Sequence, residues 1–224
     1  AAAIAAAMFG VDSILHVLAS DHNIDADEVY FDAVRVAHDA ATRGMLVTFG
    51  IKPTEPATGF GYIEAGDPVN SSVSLVRRFV EKPNQDTALE MIKAGGFYWN
   101  SGIFMFPLQA LRDELEKFCP DVLEAADAAV AAATRDLDFI RLDGEAFARA
   151  PDISIDYALM EKTSNAAVVP SSFTWSDLGS WDAVWKNGKS DAAGNVSTHN
   201  ATLLETKNSL VVSHGPHIAV HGLE

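Results

Sequence analysis

The apolar positions of this chain fall into short runs of strand length separated by stretches of helical period. Ser13-Ile-Leu-His-Val-Leu-Ala-Ser20 is almost continuously apolar, the pattern of a strand buried on both faces of a parallel sheet. It ends at Asp21-His22-Asn23-Ile24, after which Asp25 and Glu28 have the spacing of a capping box. Tyr30, Val34, Ala37 and Ala41 then mark one face of a helix, and Gly44 is placed to end it. Met45 to Ile51 is a second apolar strand. Strand, helix and strand in that order predict a right-handed parallel crossover, so the core is expected to be α/β.

Beyond Ile51 the texture changes. Pro53, Pro56, Gly59 and Gly61 punctuate a loop leading into a strand at Phe60 to Glu64. Val73 to Val80 reads as a strand closed by Glu81-Lys82-Pro83, Thr87 to Ala94 as a short helix, and Phe97 to Phe106 as an aromatic-rich strand. Helices are predicted over Leu108 to Phe118, Val122 to Thr134 and Asp156 to Lys162, and a strand over Ala166 to Val169. Trp175 to Gly179 is a polar turn before a helix around Trp181 to Trp185. From Asp191 onward Asn, Gly, Ser and Thr surround short apolar pairs such as Leu203-Leu204, a linker and the first strands of a β-rich module. The expected division is therefore 1–190 and 191–224. The chain opens without Met, with Ala1 to Phe9 reading as a helix that leads into a strand, and it stops within the alternation His217 to Glu224. Both ends are expected to be cuts in a longer protein.

Composition narrows the chemistry. The chain has 224 residues, 48% apolar and 21% charged, enough for a full core. Sixteen Lys and Arg against 31 Asp and Glu give a formal charge of −15. Such a body argues against non-specific binding to nucleic acid or anionic membranes, while a few placed cations or a metal ion can still hold a phosphate. The single cysteine, Cys119, cannot form an internal disulfide, which points to a reducing cytosol. No Lys or Arg precedes Arg35, against a secretory leader, and no run of 18 apolar residues offers a membrane span.

Several positions carry candidate chemistry. Asp21 follows a buried strand, where open α/β sheets bind ligands, so it is placed for a metal, although alone it reads more readily as a capping or turn residue. Asp177, within Trp175-Ser-Asp-Leu-Gly-Ser-Trp181, has the same two readings. In Glu81-Lys82-Pro83 a carboxylate suits a pair of sugar hydroxyls and an ammonium suits a phosphate, and a solvated charge pair is the plain alternative. Asn100 and Ser101 lie in an apolar strand and must find partners in the backbone or in a ligand. Gly59 and Gly61 in Thr58-Gly-Phe-Gly-Tyr62 allow a close backbone approach to a sugar, or merely a hairpin bend. No Walker-type loop, dinucleotide fingerprint or Ser/His/Asp grouping is present in the sequence.

The order of these segments is more specific than any one of them. Leu18-Ala-Ser-Asp-His22, Val47-Thr-Phe-Gly-Ile-Lys-Pro-Thr54, Thr58-Gly-Phe-Gly-Tyr-Ile63, Phe79-Val-Glu-Lys-Pro83, Trp99-Asn-Ser-Gly102, Ser154-Ile-Asp-Tyr157, Met160-Glu-Lys-Thr163 and Trp175 to Trp181 occur in that sequence. The series resembles the bacterial mannose-1-phosphate guanylyltransferases, including those fused to a mannose-6-phosphate isomerase domain. The resemblance implies a Rossmann-like nucleotidyltransferase fold with a mixed, mostly parallel sheet, its N-terminal portion missing. It implies transfer of GMP from GTP to mannose 1-phosphate with Mg²⁺. By motif, Asp21 and Asp177 would hold the metal, Gly61, Glu81 and Asn100 would face the mannose, and Lys82 would face its phosphate. Asp156 and Tyr157 are assigned sugar-side or structural roles. The family's Gly-rich loop, which wraps the triphosphate, would lie before Ala1, so the chain alone is expected to be inactive. A pyrophosphorylase for another hexose phosphate, such as glucose 1-phosphate, and a non-catalytic sugar-phosphate-binding module are the alternatives. A homodimer is compatible with the sequence and is not fixed by it.

Overall fold

The computed structural model describes residues 2–224, so the first residue of the predicted opening helix, Ala1, lies outside the described residues. The chain runs α1 (Ala2–Phe9), β1 (Ile14–Val17), β2 (Asn23–Ile24), α2 (Glu28–Ala41), β3 (Leu46–Ile51), β4 (Tyr62–Pro68), β5 (Ser74–Val80), α3 (Gln85–Ala94) and β6 (Phe97–Pro107). There follow α4 (Leu108–Phe118), α5 (Pro120–Ala131), the hairpin β7 (Thr134–Asp136) and β8 (Phe139–Arg141), α6 (Gly144–Phe147), a π-helical turn (Asp156–Met160) and β9 (Ala166–Ser171). The rest is β10 (Trp175–Ser176), α7 (Trp181–Asn187), β11 (Val196–Ser197), β12 (Ala201–Leu204), β13 (Leu210–Val211) and β14 (Ile218–His221).

These elements form two compact units. One comprises the residues up to Ala19 together with Ala26–Phe173; the other comprises Ser20–Asp25 together with Thr174–Glu224. The first is an α/β layer built on a six-stranded sheet of order β1-β6-β3-β9-β5-β4, in which β4 also pairs with the start of β6. β1 and β3, joined through α2, run parallel within this sheet, as the strand-helix-strand order predicts, with one strand inserted between them. β6 lies between β1 and β3 and runs antiparallel to both. The sheet is mixed, as expected, but only β3 and β9 are parallel neighbours, so "mostly parallel" does not describe its pairing. Gly95-Gly96, both with positive φ (72° and 74°), make the turn out of α3 and into β6. Periodicity reports burial and says nothing about which strands meet.

Other boundaries moved for identifiable reasons. The cap of α2 is Asp27, not Asp25, and its side chain accepts from the Tyr30 N–H at 3.0 Å. Asp25 is still engaged in the β2 ribbon, donating its N–H to the Thr174 carbonyl at 3.3 Å, so no helix can start there. β1 spans four residues at the sheet edge, half-buried where full burial was predicted. α5 ends at Ala131, three residues before the predicted end, and the β7–β8 hairpin was not foreseen.

The core of this unit packs Leu46, Ile63, Phe79, Phe104, Phe106, Leu111, Leu159 and Val168 between the sheet and the helices. A second cluster joins Tyr62 and Trp99 of the sheet to Ala88 and Met91 of α3. β3 is buried from Leu46 to Gly50, matching its unbroken apolar run. Within the second unit, β10 pairs antiparallel with β2, while β11 pairs with β13 and β12 with β14 in parallel two-stranded rungs. Buried Asn195 ties that region together, donating to the Thr206 carbonyl at 2.7 Å and accepting from the Ser209 N–H at 3.1 Å. No described helix is long and apolar enough to cross a membrane.

Gly50 shows how tightly β3 is held. A Cβ there would sit 2.7 Å from both Tyr98 Cβ and Val168 Cγ2, one each from the strands on either side. Gly50→Ala is expected to lower the unfolding free energy by about 1–3 kcal/mol, read as a reduced urea midpoint with an unchanged slope.

Candidate functional site

The site begins with an irregularity in β6. Thr48 of β3 pairs with Phe104, and Gly50 pairs with Asn100, so a two-residue step on β3 faces a four-residue step on β6. The extra residues form a bulge, a device that re-aims side chains out of the pleat. Each residue of the Asn100-Ser101-Gly102 motif has a part in it. Gly102 takes φ +70°, a conformation rarely open to other residues. Ser101 donates its hydroxyl to the Phe49 carbonyl at 2.8 Å and accepts the Ile103 N–H at 3.2 Å, repairing the interrupted ladder. The serine is therefore a structural residue.

Asn100 is the turned-out member. Its backbone N–H donates to the Gly61 carbonyl at 2.8 Å, which fixes the loop before β4 against β6. Its amide oxygen accepts from Thr48 Oγ1 at 2.9 Å and from the Gly102 N–H at 3.3 Å, and its Nδ2 donates to Asp156 Oδ1 at 3.1 Å. Asp156 opens the π-helical turn, where a regular helix was predicted. Such turns recur at functional sites because they widen the ladder and shift a side chain.

Gly61, Glu81 and Lys82 join the same cluster. A Cβ at Gly61 would lie 2.6 Å from Glu81 Oε2, so glycine is needed there for the carboxylate to occupy its place. The Glu81 side chain is only 8% exposed and pairs with Lys82 Nζ at 3.1 Å, while the Lys82 side chain is 61% exposed. The Glu81 carboxylate raises the Lys82 pKa, chiefly through their hydrogen bond. Burial, with the Glu81 charge adding to it, pushes the Asp156 carboxyl up to about 6, against the opposing pull of Lys82 and Asn100. Lys82 has φ +47° immediately before Pro83, a strained backbone for a residue with a Cβ. The Glu81 N–H, in turn, donates to Glu161 Oε1 at 3.2 Å, so the segment that carries Asp156 also steadies this corner.

Five of the predicted residues, Gly61, Glu81, Lys82, Asn100 and Asp156, thus converge in the first unit. Tyr157 follows Asp156 on the same turn and is 46% exposed. Asp21 and Asp177 belong to the second unit. There β2 pairs with β10 through Ile24↔Trp175 and Asn23↔Ser176; Asp21 lies in the turn before β2, and Asp177 directly follows β10. His22, next to Asp21, accepts from Trp175 Nε1 through Nδ1 at 3.3 Å. Asp177 sits in a bound-up turn: its Oδ1 accepts from the Gly179 N–H at 3.1 Å, and Leu178 takes φ +50°. A Cβ on Gly179 would come within 2.6 Å of Asp177 Oδ2. Among the described residues no three His, Cys, Asp or Glu side chains group as a ready-made metal cage.

Sequence reasoning missed Thr48, Gly102 and Glu161. A signal existed for Thr48, the one hydroxyl inside the apolar run of β3.

Comparison with known proteins gives a consistent picture. Residues 1–194 match the nucleotidyl transferase family. The whole chain is 56% identical to a mannose-1-phosphate guanylyltransferase of Sinorhizobium fredii, covering 44% of that protein. It is 45% identical, again over 100% of its length, to a mannose-1-phosphate guanylyltransferase of Escherichia coli, covering 48% of it. Identity to the xanthan biosynthesis protein XanB of Xanthomonas campestris is 46%, covering 100% of this chain and 47% of XanB. Among solved structures, a mannose-1-phosphate geranyltransferase from Thermus thermophilus superposes with a TM-score of 0.84 at 32% identity, over 99% of this chain and 64% of that one. A mannose-6-phosphate isomerase from Helicobacter pylori gives 0.70 at 37% identity, over 78% and 68%. The chain spans about half the length of the curated relatives it matches.

Asp156 supplies a test of the cluster's electrostatics. Its folded-state pKa of about 6 lies above the ordinary carboxylate value, so its ionisation disfavours the folded state as pH rises from about 4 through 6. Asp156→Asn keeps an acceptor for the Asn100 amide and removes that titration. The variant is expected to match the wild type near pH 4 and to be more stable at pH 7.5, by on the order of 1–3 kcal/mol. Thermal unfolding of both proteins across that range checks it; a stability difference independent of pH would contradict the assignment.

Proposed function

The chain belongs to the nucleotidyl transferase family, and from that membership we propose that the protein carrying it transfers GMP from GTP to mannose 1-phosphate, giving GDP-mannose and pyrophosphate. The observation that carries this reading is the 56% identity, over every residue of the chain, to a protein named for that reaction. The clustered amide, carboxylates and ammonium support it. The single, half-buried Cys119 fits a reducing cytosolic setting.

In this reading an oxygen of the sugar phosphate attacks the α-phosphorus of GTP in line. A new P–O bond forms, the α–β phosphoanhydride bond breaks, and pyrophosphate leaves with the bonding electron pair. The attacking oxygen is already anionic, so no general base is required. The difficulty is to bring two polyanions together and to hold them aligned. Lys82, kept firmly protonated by Glu81, faces the sugar phosphate. Glu81 and ionised Asp156 accept hydrogen bonds from sugar hydroxyls, and the Asn100 amide donates one. Gly61 leaves room for the ring against Glu81. Asp21 and Asp177 would hold Mg²⁺, which supplies charge neutralisation and orientation of the phosphates when bound.

Release of pyrophosphate by the purified full-length protein that carries this chain, with GTP and either mannose 1-phosphate or glucose 1-phosphate, tests the proposal. Mannose 1-phosphate is expected to be the better substrate. Turnover should require a divalent cation and fall on the order of 100-fold or more in Asp177→Ala, the size of effect seen when a main electrostatic group is removed. Equal turnover of the two sugars would shift the substrate assignment, and an Asp177→Ala protein of normal rate would remove that residue from the metal.

A further inference from the structure

Thr48 is fully buried in the centre of β3, between apolar neighbours that need no polar companion. Valine would have the same shape and would suit the strand equally well. The hydroxyl nevertheless lies 2.9 Å from the amide oxygen of Asn100, nearer than the Ile103 carbonyl at 3.4 Å. Asn100 is the residue that leaves the ladder at the bulge, so neither strand pairing nor its rotamer alone decides which end of its amide turns outward.

Three contacts bear on it. The Gly102 N–H can only donate and an ionised Asp156 Oδ1 can only accept, so a flipped amide would set donor against donor at one and acceptor against acceptor at the other. The Thr48 O–H, closest of the donors at 2.9 Å, adds to the same orientation, and flipping would send it to the more distant Ile103 carbonyl. With the oxygen held inward, the nitrogen carries one N–H to Asp156 Oδ1 and has a second that these bonds do not use. We propose that Thr48 is a positioning residue: its buried hydroxyl locks the Asn100 amide so that the cluster presents an N–H donor, rather than a carbonyl acceptor, to the ligand. A donor there selects an acceptor oxygen on the ligand, while Glu81 and Asp156 beside it select hydroxyl donors. Together they read a defined pair of hydroxyl groups on the sugar. This rests on the sugar-phosphate reading above.

Steady-state kinetics of Thr48→Val and Thr48→Ser, measured on the full-length protein with the wild type alongside, test it. Thr48→Val is expected to raise KM for the sugar phosphate about tenfold, the worth of one hydrogen bond, with KM for GTP and kcat at saturating sugar changed less than about twofold. Thr48→Ser, which keeps the hydroxyl, should return KM to within about threefold of wild type. In an Asn100→Ala background Thr48→Val should have no further effect on sugar KM. If Thr48→Val does not fold, Thr48→Cys replaces it against Thr48→Ser, since a thiol of similar size is a poor donor. Lower thermal stability with an unchanged KM, or serine no better than valine or cysteine, would show that Thr48 only fills the sheet. A wild type that uses another hexose 1-phosphate overturns the substrate assignment alone, and the Thr48 comparison is then read on that sugar. No turnover of any hexose 1-phosphate overturns both.

Discussion

A buried amide must have every polar atom paired, and in this chain that requirement falls on Asn100. Meeting it draws four separate pieces of backbone to one point: Thr48 from β3, Gly61 from the loop before β4, Gly102 from the bulge in β6, and Asp156 from the π-helical turn. None of these is a sequence neighbour of the others except the bulge itself. Once Gly61 is fixed, Glu81 has its place beside it, and with Glu81 comes the orientation of Lys82. The arrangement is one network, because an unpaired member in a poorly solvated setting is penalised more heavily than it would be in water.

The same setting explains why two carboxyl groups can stand near each other inside a protein of charge −15 and still leave room for an anionic ligand. Burial and proximity raise Asp156, and Glu81 is neutralised locally by Lys82, whose charge faces solvent. The net field of the body is screened within about 8 Å at physiological salt. On the proposed reading, a phosphate at this corner would meet the nearest ammonium, and the sugar's hydroxyls would meet the acceptors behind it.

Most element types were legible from periodicity, and the helix Leu108–Phe118 was read to the residue. The pairing of strands was not, because nothing in the apolar run of Met45 to Ile51 says that its neighbour on one side will run the opposite way. The π-helical turn was invisible for a related reason: Asp156 to Met160 has ordinary helical composition, and nothing in it signals a widened ladder. Of the site, the residues with unusual chemistry for their surroundings could be named in advance. Their supports could not. Thr48 resembles any strand threonine until its hydroxyl is seen to donate to Asn100, and Glu161 resembles any surface glutamate until the Glu81 N–H is seen to donate to it.

The left-handed backbone of Lys82 bears on how this fold can change over time. A side chain there sits in a conformation that glycine adopts without strain, and the following proline narrows the choices further. Selection for heat resistance alone would favour glycine or asparagine at that position and would discard the ammonium in doing so. If the ammonium serves the proposed reaction, a lineage released from that demand would be free to trade lysine for glycine or asparagine there.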